Sequence, residues 1–199
     1  MNALEQRCGI IHRVTRETDI HLSLLIDGTG IAKIDTAVPF LDHMLTLFAV
    51  HGFFDLEIKA TGDVEVDDHH TVEDVGICLG KAFAEALGNK NGINRYGLSY
   101  LPMDETLARV VVDLSNRPFL HYGAAVPDQK LGTFDTALSL EFMRAFSQHA
   151  GVSLHIDLLH GENSHHIIEA IFKGLARAMA QATGVNHMVT GALSSKGLL

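Results

Sequence analysis

The run HHTVEDVGICLGKAFAEALG spans residues 69–88, and residues 165–184 read HHIIEAIFKGLARAMAQATG. Aligned without a gap at an offset of 96 positions, the two segments share 8 of 20 residues, including both histidines, the glutamate and the closing glycine. Self-similarity at a fixed offset indicates an internal repeat. We therefore predict one domain of 1–199 built from two related units, roughly residues 1–92 and 93–199, which pack together because each alone would have a marginal core.

The similarity continues upstream of these segments. His51 aligns with His149 at an offset of 98, and Ala37–Pro39 resembles Ala125–Pro127 at an offset of 88. The changing offset indicates small insertions in the loops of one unit.

Hydrophobic patterning predicts the same order of elements in both units. Each begins with a strand, followed by a helix, an alternating strand and a long helix that ends near a glycine. The predicted strands are 21–27, 108–114, 56–60 and 152–158, the predicted helices are 41–51, 137–149, 71–87 and 164–182, and the predicted C′ glycines are Gly88 and Gly184. Strands and helices in this order favour an α/β, or α+β, sandwich in which helices cover one face of each sheet.

Composition excludes several classes of protein. Hydrophobic residues make up 47% of the chain and charged residues 20%, which rules out a disordered chain. The two cysteines form no CxxC pair, and Cys78 lies in an apolar helical run, so we expect a buried thiol. A net charge of −9 argues against nucleic acid as a partner, although a phosphorylated small molecule needs only a few local cations. No run approaches 18 consecutive apolar residues, so we expect no membrane segment and a cytoplasmic location.

Histidine is over-represented, with 13 in the chain, and the repeated HHxxE motif indicates what several of them do. A histidine and a glutamate three or four residues later share one face of a helix and can chelate a metal ion. Adjacent histidines point about 100° apart, so each pair is better placed to serve two ions than one. A single pair would be interpreted as a surface feature, but two at equivalent positions favour chelators. The neighbouring Asp67 and Asp68 are either N-caps or partners of the histidines.

The repeat adds one more candidate position. His43 aligns with Glu141 at an offset of 98. With this position included, each of two metal sites has either three imidazoles and one carboxylate or two imidazoles and two carboxylates as ligands. Without a thiolate, such sets point to Mn²⁺, Fe²⁺ or Zn²⁺ with open coordination positions rather than to a structural zinc.

A few basic and polar residues could hold a phosphate. They are Arg95, Arg117, Lys173 and the tail Ser194–Gly197, which offers hydroxyl, ammonium and backbone N–H donors. The histidines without repeat support are interpreted as structural or surface residues: His12, His21, His121, His155, His160 and His187.

The motifs DHHTVED, NSHHIIEAIFKGLARA, FLDHML and the terminal SSKG together resemble the imidazoleglycerol-phosphate dehydratase family over essentially the whole chain. The resemblance implies a lyase of histidine biosynthesis that converts D-erythro-imidazole glycerol phosphate to imidazole acetol phosphate and water. It also implies a duplicated fold like domain 2 of ribosomal protein S5, two Mn²⁺ ions per site, and a homo-oligomer of 24 subunits with metal sites between subunits.

Carried over to this sequence, the resemblance implies two ligand sets. One metal is held by His43, His70, His165 and Glu169, and the other by His69, Glu73, His166 and Glu141. Some family members carry histidine at the position of Glu141, which leaves the ligand type there open. The implied substrate contacts are Glu17, His51, Arg95, Arg117, Lys173, Ser195, Lys196 and Gly197, together with the metal-site residues His43, His69, His70, Glu73, His165 and Glu169.

The dehydration implied by the resemblance suggests how the two metal ions take part in the reaction. Our hypothesis is that two ions bind both nitrogens of the substrate's imidazole and favour the imidazolate, which expels the C3 hydroxyl to form a diazafulvene. Loss of the C2 proton then gives an enol and finally the ketone. Glu17 or a metal-bound water is the acid or base, with Glu73 and Glu169 as further catalytic candidates and Asp104 and Glu105 as secondary ones. The alternatives are a dinuclear phosphoester hydrolase and a metal-stapled assembly protein without turnover.

Overall fold

The computed structural model describes residues 6–199 and contains two four-stranded sheets and four long helices. In chain order the elements are β1 (Cys8–Val14), β2 (Thr18–Leu25), β3 (Ala32–Asp35), α1 (Pro39–Gly52), β4 (Asp55–Gly62), α2 (His69–Leu87), β5 (Tyr96–Met103), β6 (Thr106–Asp113), β7 (Phe119–Gly123), β8 (Lys130–Leu131), β9 (Phe134–Asp135), α3 (Leu138–Ala150), β10 (Ser153–His160) and α4 (Ser164–Thr183).

The two sheets have the same topology. The first has the order β1-β2-β4-β3 and the second β5-β6-β10-β7. In each, the first three strands pair antiparallel and the fourth pairs parallel with its neighbour. The mixed α/β fold with two similar sheet-and-helix units agrees with the sequence prediction.

Buried and exposed residues alternate along the strands, which shows which face of each sheet is covered. In β2, Ile20, Leu22 and Leu24 are buried while the residues between them are exposed or half-buried, and in β10 Leu154 and Ile156 are buried in the same way. Successive side chains of a strand point to opposite faces, so one face of each sheet enters the core. The expectation that helices cover one face of each sheet is confirmed.

The four helices lie between the two sheets. Helix α2 packs on β1 and β2, and α4 packs on β5 and β6. The helices of the two units also pack on each other, α2 against α3 and α1 against α4. This second set of contacts places the N-terminal ends of helices from different units next to each other, and it is what assembles the candidate site.

Two glycines allow equivalent close contacts between a strand and a helix. A Cβ atom on Gly9 would lie 2.2 Å from the carbonyl oxygen of Ala82, and a Cβ atom on Gly97 would lie 1.8 Å from that of Ala178. The pairs occupy matching places in the two units, and in each the strand backbone rests directly on the helix.

The structure corrects some predicted details. Gly88 and Gly184 directly follow α2 and α4, as predicted, but their conformations differ: φ is 50° at Gly88 and −57° at Gly184. The strands β1, β3, β5 and β7 were not predicted. The small β8–β9 hairpin lies between β7 and α3, with no counterpart between β3 and α1, and it accounts for the change in offset from 88 to 98.

Two other expectations concern burial and hydropathy. Cys78 is fully buried as predicted, and burial raises the pKa of its thiol to about 11. Within the described part of the chain, no helix combines the length and apolarity needed to cross a membrane.

Candidate metal centre

The contact between α1 and α4 brings three of the predicted ligands together. His43 comes from α1, and His165 and Glu169 come from the first turns of α4. Glu169 Oε2 lies 3.2 Å from His165 Nε2 and 3.6 Å from His43 Nε2. One donor atom from each residue lies within 4.8 Å of the others. Two imidazoles and a carboxylate converging in this way suit a divalent transition metal ion with open coordination positions.

Local contacts hold the α4 ligands in place. Asn163 is the N-cap of α4, and its Oδ1 accepts the backbone N–H groups of His165 at 2.9 Å and His166 at 3.3 Å. Such a cap satisfies N–H groups that have no partner within the helix. The ring of Phe40 meets the ring of His165 edge-on at 5.3 Å between centroids. The cap and the aromatic contact therefore fix where the α4 ligands begin and how His165 is oriented.

Glu169 is the buried member of the cluster, and Lys173 pairs with it one turn further along α4. Burial opposes the charged form of Glu169. The Lys173 ammonium, together with His165 and His43, outweighs this effect and keeps the pKa of the carboxyl below its ordinary value. The carboxylate is therefore held in the anionic form that a metal ion requires.

The repeat-equivalent residues lie at the contact between α2 and α3, where their donor atoms do not converge as closely as those of His43, His165 and Glu169. His69 Nε2 lies 3.5 Å from Glu73 Oε2, and His69 lines the same groove of about 550 Å³ as Glu141. Glu141 itself pairs with Arg144 on α3. Asp68 is the N-cap residue of α2 but its side chain makes no capping hydrogen bond, and Oδ1 of the preceding Asp67 accepts the backbone N–H of His69 at 2.8 Å.

The second histidine of each pair faces a different carboxylate. His70 Nδ1 lies 3.0 Å from Asp63 Oδ2, and His166 Nδ1 lies 2.7 Å from Glu105 Oε2. These contacts raise the pKa of both imidazoles. A carboxylate on Nδ1 is the usual way to orient a histidine whose Nε2 binds a metal.

Within one chain, neither second histidine meets the rest of its predicted ligand set. The ring planes of the two members of each pair differ by 82° in the first unit and 80° in the second, as expected for adjacent helical residues. Of the predicted metal ligands, three therefore come together in one cluster, and the second histidine of each pair contacts a carboxylate outside both predicted ligand sets.

Two acidic side chains that contact the second histidines were missed or ranked low in the sequence analysis. Asp63 was not predicted at all, because nothing distinguishes it from the other acidic residues that precede α2. Glu105, a secondary candidate, accepts the backbone N–H groups of Asn163 at 2.8 Å and Glu162 at 3.2 Å and also contacts His166. These contacts lower the pKa of Glu105, the Asn163 N–H contributing most.

Glu17 lies in the turn between β1 and β2, on the side of His70. Its carbonyl oxygen accepts the backbone N–H of Asp63 at 3.1 Å, and its negative charge contributes to the raised pKa of His70. The exposed carboxylate is therefore close to one of the second histidines, but not part of the three-ligand cluster.

Two of the predicted phosphate residues, Arg95 and Arg117, pair with the same carboxylate, whereas Lys173 lies apart from them on α4. Arg95 is buried, its Nε donates to Asp113 Oδ1 at 2.7 Å and its Nη1 donates to the carbonyl of Leu193 at 2.7 Å, so it anchors the C-terminal tail. Ser195 and Arg95 line a common groove. Arg117 is exposed, with its Nη2 3.9 Å from Asp113 Oδ2.

Other predicted contacts cluster nearer the metal ligands. His51 lies in the last turn of α1, where burial and the positive charges of Lys173 and Arg177 lower its pKa. Lys196 and Gly197 lie in the exposed tail, where the backbone N–H of Gly197 bonds to the carbonyl of Ser194 at 3.0 Å.

Known proteins resemble this chain over nearly its whole length. A family model described as imidazoleglycerol-phosphate dehydratase matches residues 36–179. The protein of that name from Desulfotalea psychrophila is 62% identical over 98% of each chain, and the one from Trichlorobacter lovleyi is 56% identical over 98% of this chain and all of its own.

Solved structures give the same result. Imidazoleglycerol-phosphate dehydratase from Staphylococcus aureus matches with a TM-score of 0.82 and 45% identity, over 90% of this chain and 99% of its own. The enzyme from Pyrococcus furiosus, solved in complex with (S)-C348, matches with a TM-score of 0.83 and 38% identity, over 95% of this chain and all of its own. The chain belongs to the imidazoleglycerol-phosphate dehydratase family.

Proposed function

We propose that this chain is a carbon–oxygen lyase that dehydrates D-erythro-imidazole glycerol phosphate to imidazole acetol phosphate in histidine biosynthesis. The observation that carries the proposal is the convergence of His43, His165 and Glu169 at the α1–α4 contact. Membership of the dehydratase family specifies the reaction to which this cluster belongs.

The proposed cofactor is Mn²⁺, two ions per site. One would be held by His43, His70, His165 and Glu169, and the other by His69, Glu73, His166 and Glu141. When bound, the ions would supply positive charge to the nitrogens of the substrate's imidazole and so favour loss of its proton. The three-ligand geometry and the anionic state of Glu169 support the first of these sets.

We place the elimination on the substrate's own ring. Electrons of the deprotonated imidazole expel the C3 hydroxyl and give a diazafulvene, and loss of the C2 proton gives an enol that tautomerises to the ketone. Glu17 is exposed and near His70, which fits a group that gives or takes a proton at the substrate. Glu73 and Glu169 are proposed to bind the metal ions and to take part in the same proton transfers.

The substrate's phosphate would bind at the cationic residues. Arg117 and Lys196 have exposed side chains able to contact it, while Ser195 and Gly197 offer short polar donors in the tail. Arg95 is fully engaged with Asp113 and Leu193, so its proposed role is to position the tail. His51 and Lys173 lie toward the metal ligands and would contact the substrate there.

The orientation of the second histidines supports a site shared between subunits. His70 and His166 each have Nδ1 occupied by a carboxylate and do not complete a cluster within their own chain. We therefore propose a homo-oligomer, of 24 subunits as the resemblance implies, with metal ions between subunits. The whole chain would act as one domain of two repeats, in the cytoplasm.

An assay of the Mn²⁺-loaded and the chelator-treated protein with imidazole glycerol phosphate tests the proposal. We expect the keto product only from the loaded protein. A His43→Ala variant should lose both metal and turnover, and retention of full metal content and turnover would contradict the ligand assignment. Absence of product from the loaded wild type, or phosphate release from generic esters instead, would overturn the dehydratase assignment.

A further inference from the structure

Two histidines and an aspartate lie together on the outer face of the first sheet. His12 on β1 lies directly opposite His21 on β2, and Asp19 is two residues from His21 on the same face. All three side chains are exposed, whereas the intervening Ile20 is fully buried. The helices cover the opposite face, so this cluster is separate from the candidate metal centre.

Donor atoms of the three residues converge on one point. Asp19 Oδ1 lies 2.9 Å from His12 Nε2 and 3.7 Å from His21 Nε2. One ligand atom of each residue lies within 4.8 Å of the other two. Metal–ligand bonds of about 2.0–2.1 Å place neighbouring donors of a tetrahedral zinc roughly 3.3 Å apart. The two observed distances bracket that value, and rotation of the two imidazoles about χ1 and χ2 would aim both Nε2 atoms at one ion.

The hairpin holds the backbone of these residues in place before any ion arrives. The two imidazole rings stack with centroids 3.7 Å apart and planes 17° apart, so both rings turn out of the stack to bind one ion. At the end of the hairpin, the backbone N–H of Thr15 bonds to the carbonyl of Thr18 at 2.8 Å, and the Thr18 N–H bonds to Thr15 Oγ1 at 2.9 Å. A paired hairpin with a closed turn leaves little backbone freedom to lose on binding.

The second sheet has two histidines and an aspartate on its outer face as well, but their donor atoms do not converge on one point. His121 and His155 are cross-strand neighbours on β7 and β10, but their ring centroids are 6.0 Å apart. His121 Nε2 lies 3.3 Å from Asp157 Oδ1, but Asp157 Oδ2 accepts two hydrogen bonds from Arg109, at 2.9 and 3.2 Å. A guanidinium already neutralises that carboxylate, so this pair has no free anionic ligand.

We propose that His12, Asp19 and His21 form a surface site for one Zn²⁺ ion per chain, with water completing its coordination. Two imidazoles and one carboxylate suit borderline transition metal ions, whereas Mg²⁺ and Ca²⁺ prefer all-oxygen sites. The interpretation of His12 and His21 as merely structural or surface residues is thereby revised. Their spacing in the sequence does not reveal the pairing, which only the hairpin register creates.

Zinc stoichiometry of the metal-stripped full-length protein tests the proposal by equilibrium dialysis and elemental analysis. The double variant His12→Gln/His21→Gln should bind one Zn²⁺ fewer per chain than the wild type. The matched control His121→Gln/His155→Gln should bind as many as the wild type. Asp19→Asn should weaken the same site by at least about tenfold, since even indirect partners of metal ligands contribute that much.

Turnover provides a readout that separates this site from the catalytic one. The Mn²⁺-loaded His12→Gln/His21→Gln variant should dehydrate imidazole glycerol phosphate at the wild-type rate. Unchanged zinc stoichiometry in that variant, or an equal loss in the His121→Gln/His155→Gln control, would overturn the site. A parallel loss of turnover would overturn its independence from the catalytic centre.

Discussion

The two histidines of each pair use their ring nitrogens differently. The first directs Nε2 to the glutamate four residues later on its own helix, and the second directs Nδ1 to a carboxylate outside that helix. One step along a helix rotates a side chain by about 100°, which is why adjacent histidines reach different partners. The pair therefore serves two locations, one at a glutamate on its own helix and one at a carboxylate in a loop.

Glu105→Gln tests whether the carboxylate behind a histidine controls metal affinity. Glu105 orients His166 through Nδ1 and also binds two backbone N–H groups at the start of α4. We expect Mn²⁺ affinity to fall about 10- to 100-fold, because partners of ligating histidines typically contribute that much. Dialysis against graded Mn²⁺ measures it, with the exposed neighbour Glu162→Gln as control. Wild-type affinity in Glu105→Gln would contradict the assignment.

Lys90 links burial to the pH dependence of stability. Its side chain is 2% exposed and its Nζ donates to Asn116 Oδ1 at 2.5 Å. Burial lowers the pKa of its ammonium from 10.5 to about 8. The folded protein therefore binds fewer protons than the unfolded chain between pH 8 and 10.5, and the contribution of Lys90 to the free energy of unfolding rises with pH in that window.

Lys90→Met should remove this rise. The difference in free energy of unfolding between wild type and variant should shift in favour of the wild type by about 3 kcal/mol from pH 7.5 to pH 10.5, since each pKa unit corresponds to about 1.4 kcal/mol. Urea denaturation at both pH values measures it, and the exposed Lys33→Met is the control. A difference that does not change with pH would show that folding does not lower the pKa of Lys90.

At the scale of elements, the sequence predicted the helices, whose apolar residues recur with a strong period, and missed edge strands whose pattern is weak. The helices 41–51, 137–149, 71–87 and 164–182 were located to within a few residues because their apolar faces repeat regularly. The strands β3 and β7 are sheet edges of four and five residues, and their burial alternates only between exposed and half-buried. Such strands have weak patterning, so their pairing depends on the neighbouring strand rather than on their own sequence.

In the candidate site, too, the sequence predicted contacts within a helix and missed contacts with loops. Spacing within one helix predicted the contacts of His69 with Glu73 and of His165 with Glu169, and the repeat predicted that His43 belongs with them. Asp63 and Glu105 lie in loops 7 and 61 residues from their histidines. Contacts at those separations are set by tertiary packing, and no periodicity in the sequence encodes them.

Gly9→Ala and Gly97→Ala test the strand-to-helix contacts that both units share. The added Cβ atoms would lie 2.2 and 1.8 Å from carbonyl oxygens of α2 and α4, far inside van der Waals contact. Each strand must then move off its helix, and we expect a loss of about 2–3 kcal/mol in the free energy of unfolding. Urea denaturation measures it. Cys8→Ala, at an exposed neighbouring position, should change stability by less than about 0.5 kcal/mol, and an equally small change in both glycine variants would disprove the tight contact.

At the scale of the whole molecule, duplication places equivalent ligand groups at two separate helix contacts. The α1–α4 contact carries His43, His165 and Glu169, and the α2–α3 contact carries Glu141 with His69 on α2. Each contact lacks the second histidine that its proposed metal set requires. Closed homo-oligomers place the same surface of every copy in the same environment, so one chain can supply a missing ligand to its neighbour at every site.

Mixed assemblies of two inactive variants test whether ligands cross between chains. A His70→Asn chain keeps the α1–α4 cluster, and a His165→Asn chain keeps the second histidine of α2. If each site draws these ligands from different subunits, co-expression in equal amounts should restore about a quarter of wild-type turnover, because one site in four receives only intact residues by chance. Each variant alone should be inactive. Co-expression of His69→Asn with His70→Asn, whose changes lie on the same helix, should restore nothing. If the His70→Asn and His165→Asn mixture also stays inactive while assembling normally, both residues must act from the same chain, and the shared site is wrong.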